Sequence, residues 1–193
     1  MPVPIHEHAA DNLRYIREAM ERASAFTSIP GWGGVIVGLV AIVATAIGHT
    51  VVSVPRDWIS VWLAAAVVGS IIGGVSMARK AKRTNVSFTS ASSRRFFTCY
   101  FAPMVAGAIL TLALWRAGAV QPLPAAWLVL YGTGIVSGGA YSIRVVSFLG
   151  LGFIALGIVA VFVPLMLGNL LLGAGFGALH VIFGIVIARS YGG

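Results

Sequence analysis

The chain lacks acidic side chains over most of its length. Its 193 residues include five Asp and Glu, and none of these follows Asp57. Charged residues make up only 9% of the chain and hydrophobic residues 59%, with a formal net charge of +8. A soluble protein of this composition would aggregate, whereas lipid is a suitable solvent for it. The composition therefore indicates an integral membrane protein.

Cysteine is almost absent as well. Cys99 is the single cysteine, which excludes an intramolecular disulfide and a Cys-rich metal motif. Its apolar surroundings favour a packing role. The missing intramembrane acids also argue against transport coupled to protons or sodium ions, which usually relies on Asp or Glu.

Runs of apolar residues predict an all-α fold, a transmembrane bundle preceded by an amphipathic cytoplasmic helix. A helix needs about 20 apolar residues to cross a bilayer. The predicted domains are 1–30, the N-terminal helix, and 31–193, a bundle of six spans at about 32–52, 58–78, 96–115, 124–139, 145–163 and 169–188. The fourth span is short and rich in glycine, so a tilted helix and a broken helix both remain open, with the continuous helix favoured.

Glycine spacing predicts close packing within this bundle. Burial alone does not drive helices together in lipid, but small residues four positions apart let two backbones approach closely. Four spans contain such G-x-x-x-G pairs: Gly34/Gly38, Gly69/Gly73, Gly134/Gly138 and Gly173/Gly177. The pattern does not distinguish contacts within one chain from contacts between chains.

The basic residues predict the orientation. Eleven of the thirteen Lys and Arg residues precede the first span, lie between spans two and three or four and five, or end the sixth span. The positive-inside rule places these segments, and both termini, in the cytoplasm. The residues expected to contact anionic lipid headgroups there are Arg79, Lys80, Lys82, Arg83, Arg94 and Arg95.

An apolar stripe marks the N-terminal segment. Leu13, Ile16, Met20 and Ala23 recur at steps of three and four, as in a short coiled coil. Two heptads do not form a stable helix alone in water, so the stripe is expected to dock. Docking on the chain's own loops or the headgroup layer, and docking on a second copy or another membrane protein, both remain open.

Few polar groups lie within the predicted spans. His180 is near the middle of span six, where an ionisable residue suggests function by default, but hydrogen bonding to a neighbouring helix is favoured because no carboxylate is available to it. Thr133, Ser137 and Arg144 share one face if the fourth helix continues that far, with Tyr141 nearby. Such a face could line a polar path, although back-bonded hydroxyls and an Arg144 that reaches phosphates are the favoured interpretation.

These patterns predict a non-catalytic membrane subunit, sensor or regulator that contacts partners through its N-terminal helix and its small-residue faces. No catalytic residue, metal ligand or cofactor is predicted, since His49, Ser53 and Asp57 lack the sequence context of a catalytic triad. Nucleic-acid binding is not expected, because topology alone explains the basic charge. The alternative is a small channel or carrier for an anion, a neutral solute or a lipid.

Overall fold

A computed structural model describes residues 26–192 of the chain. Within that range the fold is all-helical, with six helices. They are α1 (Gly31–Val51), α2 (Pro55–Arg83), α3 (Ala91–Arg116), α4 (Leu123–Gly139), α5 (Arg144–Val161) and α6 (Leu165–Tyr191). The predicted N-terminal helix lies outside the described residues, and with it the stripe Leu13, Ile16, Met20 and Ala23.

Five of these helices are long and apolar enough to cross a membrane, and α4 is the exception. α4 contains 17 residues without interruption. At about 1.5 Å per residue it is about 25 Å long, which is near the lower limit for a span. The chain is thus a helical bundle with several helices of the kind found in multi-pass membrane proteins.

Two helices extend well beyond the predicted spans. α2 begins at Pro55, a residue suited to the first helical turn, and continues to Arg83 because Ala, Lys and Arg are strong helix formers. α3 begins at Ala91, where the Ser90 hydroxyl accepts a hydrogen bond from the Ser93 amide at 3.2 Å and caps the helix. Hydropathy marks only the part of a helix suited to lipid, so it misses these polar extensions.

The helices pack as two groups joined by α6. α1 lies between α2 and α6, while α4 packs against both α5 and α3. α6 also contacts α4 and α5 and so connects the groups. α2 and α3 are the outermost helices, and large apolar side chains such as Ile71 and Ile109 are exposed on them. These exposed faces suit contact with lipid.

Glycines set the closest approaches between helices. A methyl group added at Gly132 would lie 2.7 Å from the carbonyl oxygen of Gly150, where α4 crosses α5. One added at Gly38 would lie 2.8 Å from the Gly177 carbonyl oxygen, where α1 crosses α6. Gly73 differs, because an added methyl group would meet no atom within 4 Å. Glycine is therefore required at the first two crossings, whereas the space beside Gly73 is open among the described residues.

Contacts between loops show which helix ends lie together. The segment before α1 meets the α4–α5 loop, and the last turn of α2 meets both this segment and the last residues of α6. This end of the bundle, the basic end, exposes Arg79, Lys82, Arg83, Arg94, Arg95, Arg144 and Arg189. At the opposite end, Gln121 links two loops by donating to the Val163 carbonyl at 2.7 Å and accepting from the Leu165 amide at 3.0 Å.

Candidate functional site

A buried amide organises the half of the bundle opposite the basic end. Asn169 of α6 is fully buried. Its Oδ1 accepts hydrogen bonds from the indole N–H groups of Trp58 at 3.0 Å and Trp62 at 2.9 Å, both on α2. Its Nδ2 donates to the Thr45 carbonyl of α1 at 3.1 Å. One side chain thus connects α1, α2 and α6, in an environment where an unpaired polar group is costly.

The Trp58 ring extends this cluster to α3 and α4. It stacks on Trp127, with ring centroids 5.6 Å apart and planes 4° apart. Trp127 in turn donates its indole N–H to the Thr111 hydroxyl at 2.8 Å. Each buried indole N–H of this set has an acceptor, which is the usual requirement for buried tryptophan.

His180 forms a second polar contact deeper in the bundle. It is 7% exposed, and its Nε2 lies 2.9 Å from the hydroxyl oxygen of Tyr131 on α4. The Tyr131 ring contacts Phe153 and Phe176 with centroid separations of 4.7 and 4.9 Å. His180 Nδ1 is buried and has no hydrogen-bond partner among residues 26–192. The pair is therefore enclosed by aromatic rings rather than open to a polar path.

The backbone of α6 is widened next to this pair. Gly173–Leu179 is π-helical, and His180 follows it directly. Glycines in this stretch allow close contacts between helices. A methyl group added at Gly173 would lie 2.5 Å from the Thr45 side chain, and one added at Gly175 would lie 2.6 Å from the Leu128 side chain. Short π-helical stretches often mark functional positions in helices. Here the stretch lies between the Asn169 contacts and His180.

At the basic end, residues 26–30 form a strap that crosses the bundle from the α4–α5 loop to the start of α1. The Phe26 amide donates to the Tyr141 carbonyl at 2.7 Å, and the Ser142 hydroxyl donates to the Phe26 carbonyl. The Phe26 ring is fully buried, with its centroid 4.8 Å from that of Phe96 and 5.6 Å from that of Phe97. Phe26 is thus fixed through both its backbone and its side chain.

Lys80 of α2 secures the other end of the strap. Its ammonium donates to the carbonyls of Ile29 and Tyr191, both at 3.0 Å, and to that of Gly192. The side chain is 7% exposed. Asp57 is the only acid among the described residues and lies at the far end of α2, so backbone carbonyls take the place of a carboxylate. The positive charge of Lys80 also interacts favourably with the partial negative charge at the C-terminal end of α6.

The fourth helix does not continue far enough for Thr133, Ser137 and Arg144 to share one face. α4 ends at Gly139 and Arg144 is the first residue of α5, so Arg144 does not continue the Thr133 and Ser137 face. The turn at Ala140 and Tyr141 breaks the helix after two successive glycines, which have low helix propensity. The Thr133 hydroxyl donates to the carbonyl of Val129 in its own helix at 2.8 Å. Ser137 is half-buried.

The other predicted residues at the basic end differ in where their side chains lie. Tyr141 supplies the carbonyl that holds the strap, and its ring lies 5.9 Å from the guanidinium carbon of Arg95. Lys80, expected at the lipid headgroups, is turned inward because three carbonyls converge on it. The five other residues of that predicted headgroup set are exposed at the basic end: Arg79, Lys82, Arg83, Arg94 and Arg95.

His49 lies beside a shallow furrow between α1 and α6. The furrow is lined by Ile42, Thr45, Ala46, His49, Leu170 and Gly173, and is mostly apolar. Within residues 26–192, no three His, Cys, Asp or Glu side chains are grouped so that they could hold a metal ion.

Comparison with protein-family models, with curated proteins and with solved structures finds no match. The interpretation of the site therefore depends on its own geometry.

Asn169, Phe26, the contact between Tyr131 and His180, and the inward position of Lys80 were not predicted. Asn169 offered one signal, since it is an amide between two apolar runs and a polar residue in a span usually has a partner. Nothing in the local sequence indicates that its partners are the indoles of the second span. Phe26 offered no signal beyond its position just before the first span.

Proposed function

We propose that this protein is a non-catalytic, multi-pass membrane component that holds its N-terminal segment at the cytoplasmic face for contact with a partner. The supporting observation is the fixed position of Phe26, which immediately follows that segment. An N-terminal segment without a fixed position would not require Phe26, the residue that follows it, to have a fully buried ring and hydrogen-bonded backbone groups.

The interior of the bundle supports a structural role over a pore. Asn169 and Tyr131, two polar side chains within it, are hydrogen-bonded to other side chains or to a carbonyl. Helix crossings such as Gly132 with Gly150 are at backbone contact. A channel or carrier would instead line a path with polar groups that are free to bind a solute.

The proposed orientation has six spans, with the basic end in the cytoplasm. Seven exposed Lys and Arg residues lie at the basic end, and Arg56 and Arg116 lie at the other. In this arrangement α4 crosses the bilayer as a short span, since its two ends meet the loops of opposite faces. The exposed cations then face the anionic headgroups of the cytoplasmic leaflet.

The partner proposed for the first test is a second copy of the chain. Two differently tagged copies would be co-expressed, solubilised in mild detergent and purified through one tag. Replacing Leu13, Ile16 and Met20 with Ser removes the apolar stripe, and we expect it to abolish recovery of the second tag. A matched triple variant on the opposite helical face, Arg14→Ser, Glu18→Ser and Glu21→Ser, should retain that recovery.

Equal recovery from wild type and both triple variants would show that the stripe does not mediate self-association. If the wild-type protein does not recover the second tag either, a second copy is not the partner. Selective solute flux through wild-type protein in liposomes would contradict the non-catalytic, non-transporting role and support the carrier alternative.

A further inference from the structure

We propose that the strap is a latch that couples the N-terminal segment to the ends of α2 and α6 through Lys80. The structure shows the latch closed, with Phe26 seated at one end and Ile29 bound to Lys80 at the other. The inference rests on the proposed function only for the event that opens the latch, namely engagement of the N-terminal segment by a partner.

The strap is held at its ends, and no hydrogen bond of Thr27 or Ser28 to another described residue is found between them. Its backbone is bound at Phe26 and Ile29, while Thr27 between them is exposed. The Ser28 hydroxyl is fully buried and has no hydrogen-bond partner among the described residues. Segments with few stabilising contacts and unsatisfied polar groups belong to the low-stability part of a structure.

Lys80 makes the two ends of the strap interdependent. All three of its N–H donors are used: one by Ile29, one by Tyr191 at the end of α6 and one by Gly192, which follows α6. Departure of the strap removes one carbonyl and opens a buried ammonium to water. Because an incompletely paired buried charge is costly, α2 and α6 must then rearrange or hydrate at this point.

Aromatic contacts extend from the latch into the bundle. Ring centroids lie between 4.8 and 6.4 Å apart along a continuous chain of neighbours: Phe26, Phe96, Tyr100, Tyr131, Phe176 and Trp62. Trp62 is bound to Asn169, so the chain joins the strap to the buried amide cluster. This is a contiguous physical route from the strap to the bundle interior.

The test measures acetylation of Lys80 and Lys82 in the full-length protein in detergent micelles. The two lysines lie two positions apart on α2, but only Lys82 is exposed, so Lys82 is an internal control. A short pulse of acetic anhydride followed by peptide mass spectrometry gives both rates. In wild type, Lys80 should react at least about tenfold more slowly than Lys82, because it requires local opening.

Opening the latch should remove this protection. Phe26→Ala should increase the Lys80 rate by about tenfold and leave the Lys82 rate unchanged. Ser142→Ala, which removes only the hydroxyl donated to the Phe26 carbonyl, should give a smaller increase in the same direction and remains informative if Phe26→Ala fails to fold. Thr27→Ala changes an exposed strap residue and should have no effect.

Coupling must also work in reverse, since linkage between two sites is reciprocal. Lys80→Met should accelerate hydrogen–deuterium exchange of the Phe26 amide. The latch proposal is wrong if Phe26→Ala and Ser142→Ala both leave Lys80 protected. It is also wrong if Lys80→Met leaves hydrogen–deuterium exchange of the Phe26 amide unchanged, because the two ends of the strap are then independent. These measurements need no partner, so their failure is distinct from failure of the stripe to mediate association.

Discussion

Replacement of Asn169 by Ala should destabilise the bundle more than any other single loss of a polar group described here. It removes the only side-chain acceptor recorded for Trp58 and Trp62 within residues 26–192, and also the donor to the Thr45 carbonyl. Trp58 is fully buried and Trp62 is 5% exposed, so neither indole N–H can turn to water.

The size of the effect follows from the three hydrogen bonds. In bilayer proteins such contacts are worth about 0.6 kcal/mol on average and at most about 1.7 kcal/mol, so three of them contribute about 2–5 kcal/mol. Stranding two buried donors at about 1–3 kcal/mol each gives a similar range. We therefore expect Asn169→Ala to lower the free energy of unfolding by about 2–5 kcal/mol.

The assay is reversible unfolding in mixed micelles, followed by far-ultraviolet circular dichroism as the fraction of denaturing detergent rises. Trp62→Phe alone and combined with Asn169→Ala completes a double-mutant cycle, with an expected coupling of about 1 kcal/mol. Thr45→Val is the control, because Asn169 donates to the backbone carbonyl of that residue while the Thr45 hydroxyl donates within its own helix. A loss below about 1 kcal/mol for Asn169→Ala, or additivity with Trp62→Phe, would refute the proposed importance of this cluster.

Two further outcomes follow from packing and orientation. Gly132→Ala should destabilise the bundle by about 1–3 kcal/mol through overpacking against Gly150. Gly73→Ala should leave the free energy of unfolding unchanged or raise it by up to about 1 kcal/mol. Equal effects of the two variants in the same unfolding assay would contradict the packing described. Cysteines introduced at exposed Thr89 and Ala117, in a Cys99→Ser background, should react with an impermeant maleimide from opposite sides of the membrane, Thr89 from the cytoplasm. Labelling of both from one side would overturn the proposed topology.

Helix positions followed largely from local sequence. Four of the predicted span starts lie within a few residues of the observed helices, as at Gly31 and Arg144. The larger differences occur where a helix extends into polar sequence, at Arg83 and at Ala91. Hydropathy responds to transfer into lipid, whereas helix length also depends on capping and on propensity in polar segments.

Side-chain partners were much less predictable. The Thr133, Ser137 and Arg144 face depended on a helix that continued past Gly139, and the turn there separated its members. His180 was expected to bond to a neighbouring helix, but the choice of Tyr131, 49 residues away, depends on how α4 and α6 are aligned. The π-helical turn before His180 changes that alignment and has no simple sequence signature.

By itself, the sequence determined the apolar, helical character of this protein and the segregation of its basic residues, since hydropathy, helix propensity and charge are properties of short segments. Only the tertiary structure decided that Asn169 accepts hydrogen bonds from the indoles of Trp62 and Trp58, which lie 107 and 111 positions earlier in the chain. It likewise decided that Phe26 is hydrogen-bonded to Ser142, 116 positions later. It also turned Lys80 from the headgroup region toward three carbonyls. Such contacts depend on the rotation and depth of each helix against its neighbours, which arise from packing of the whole bundle.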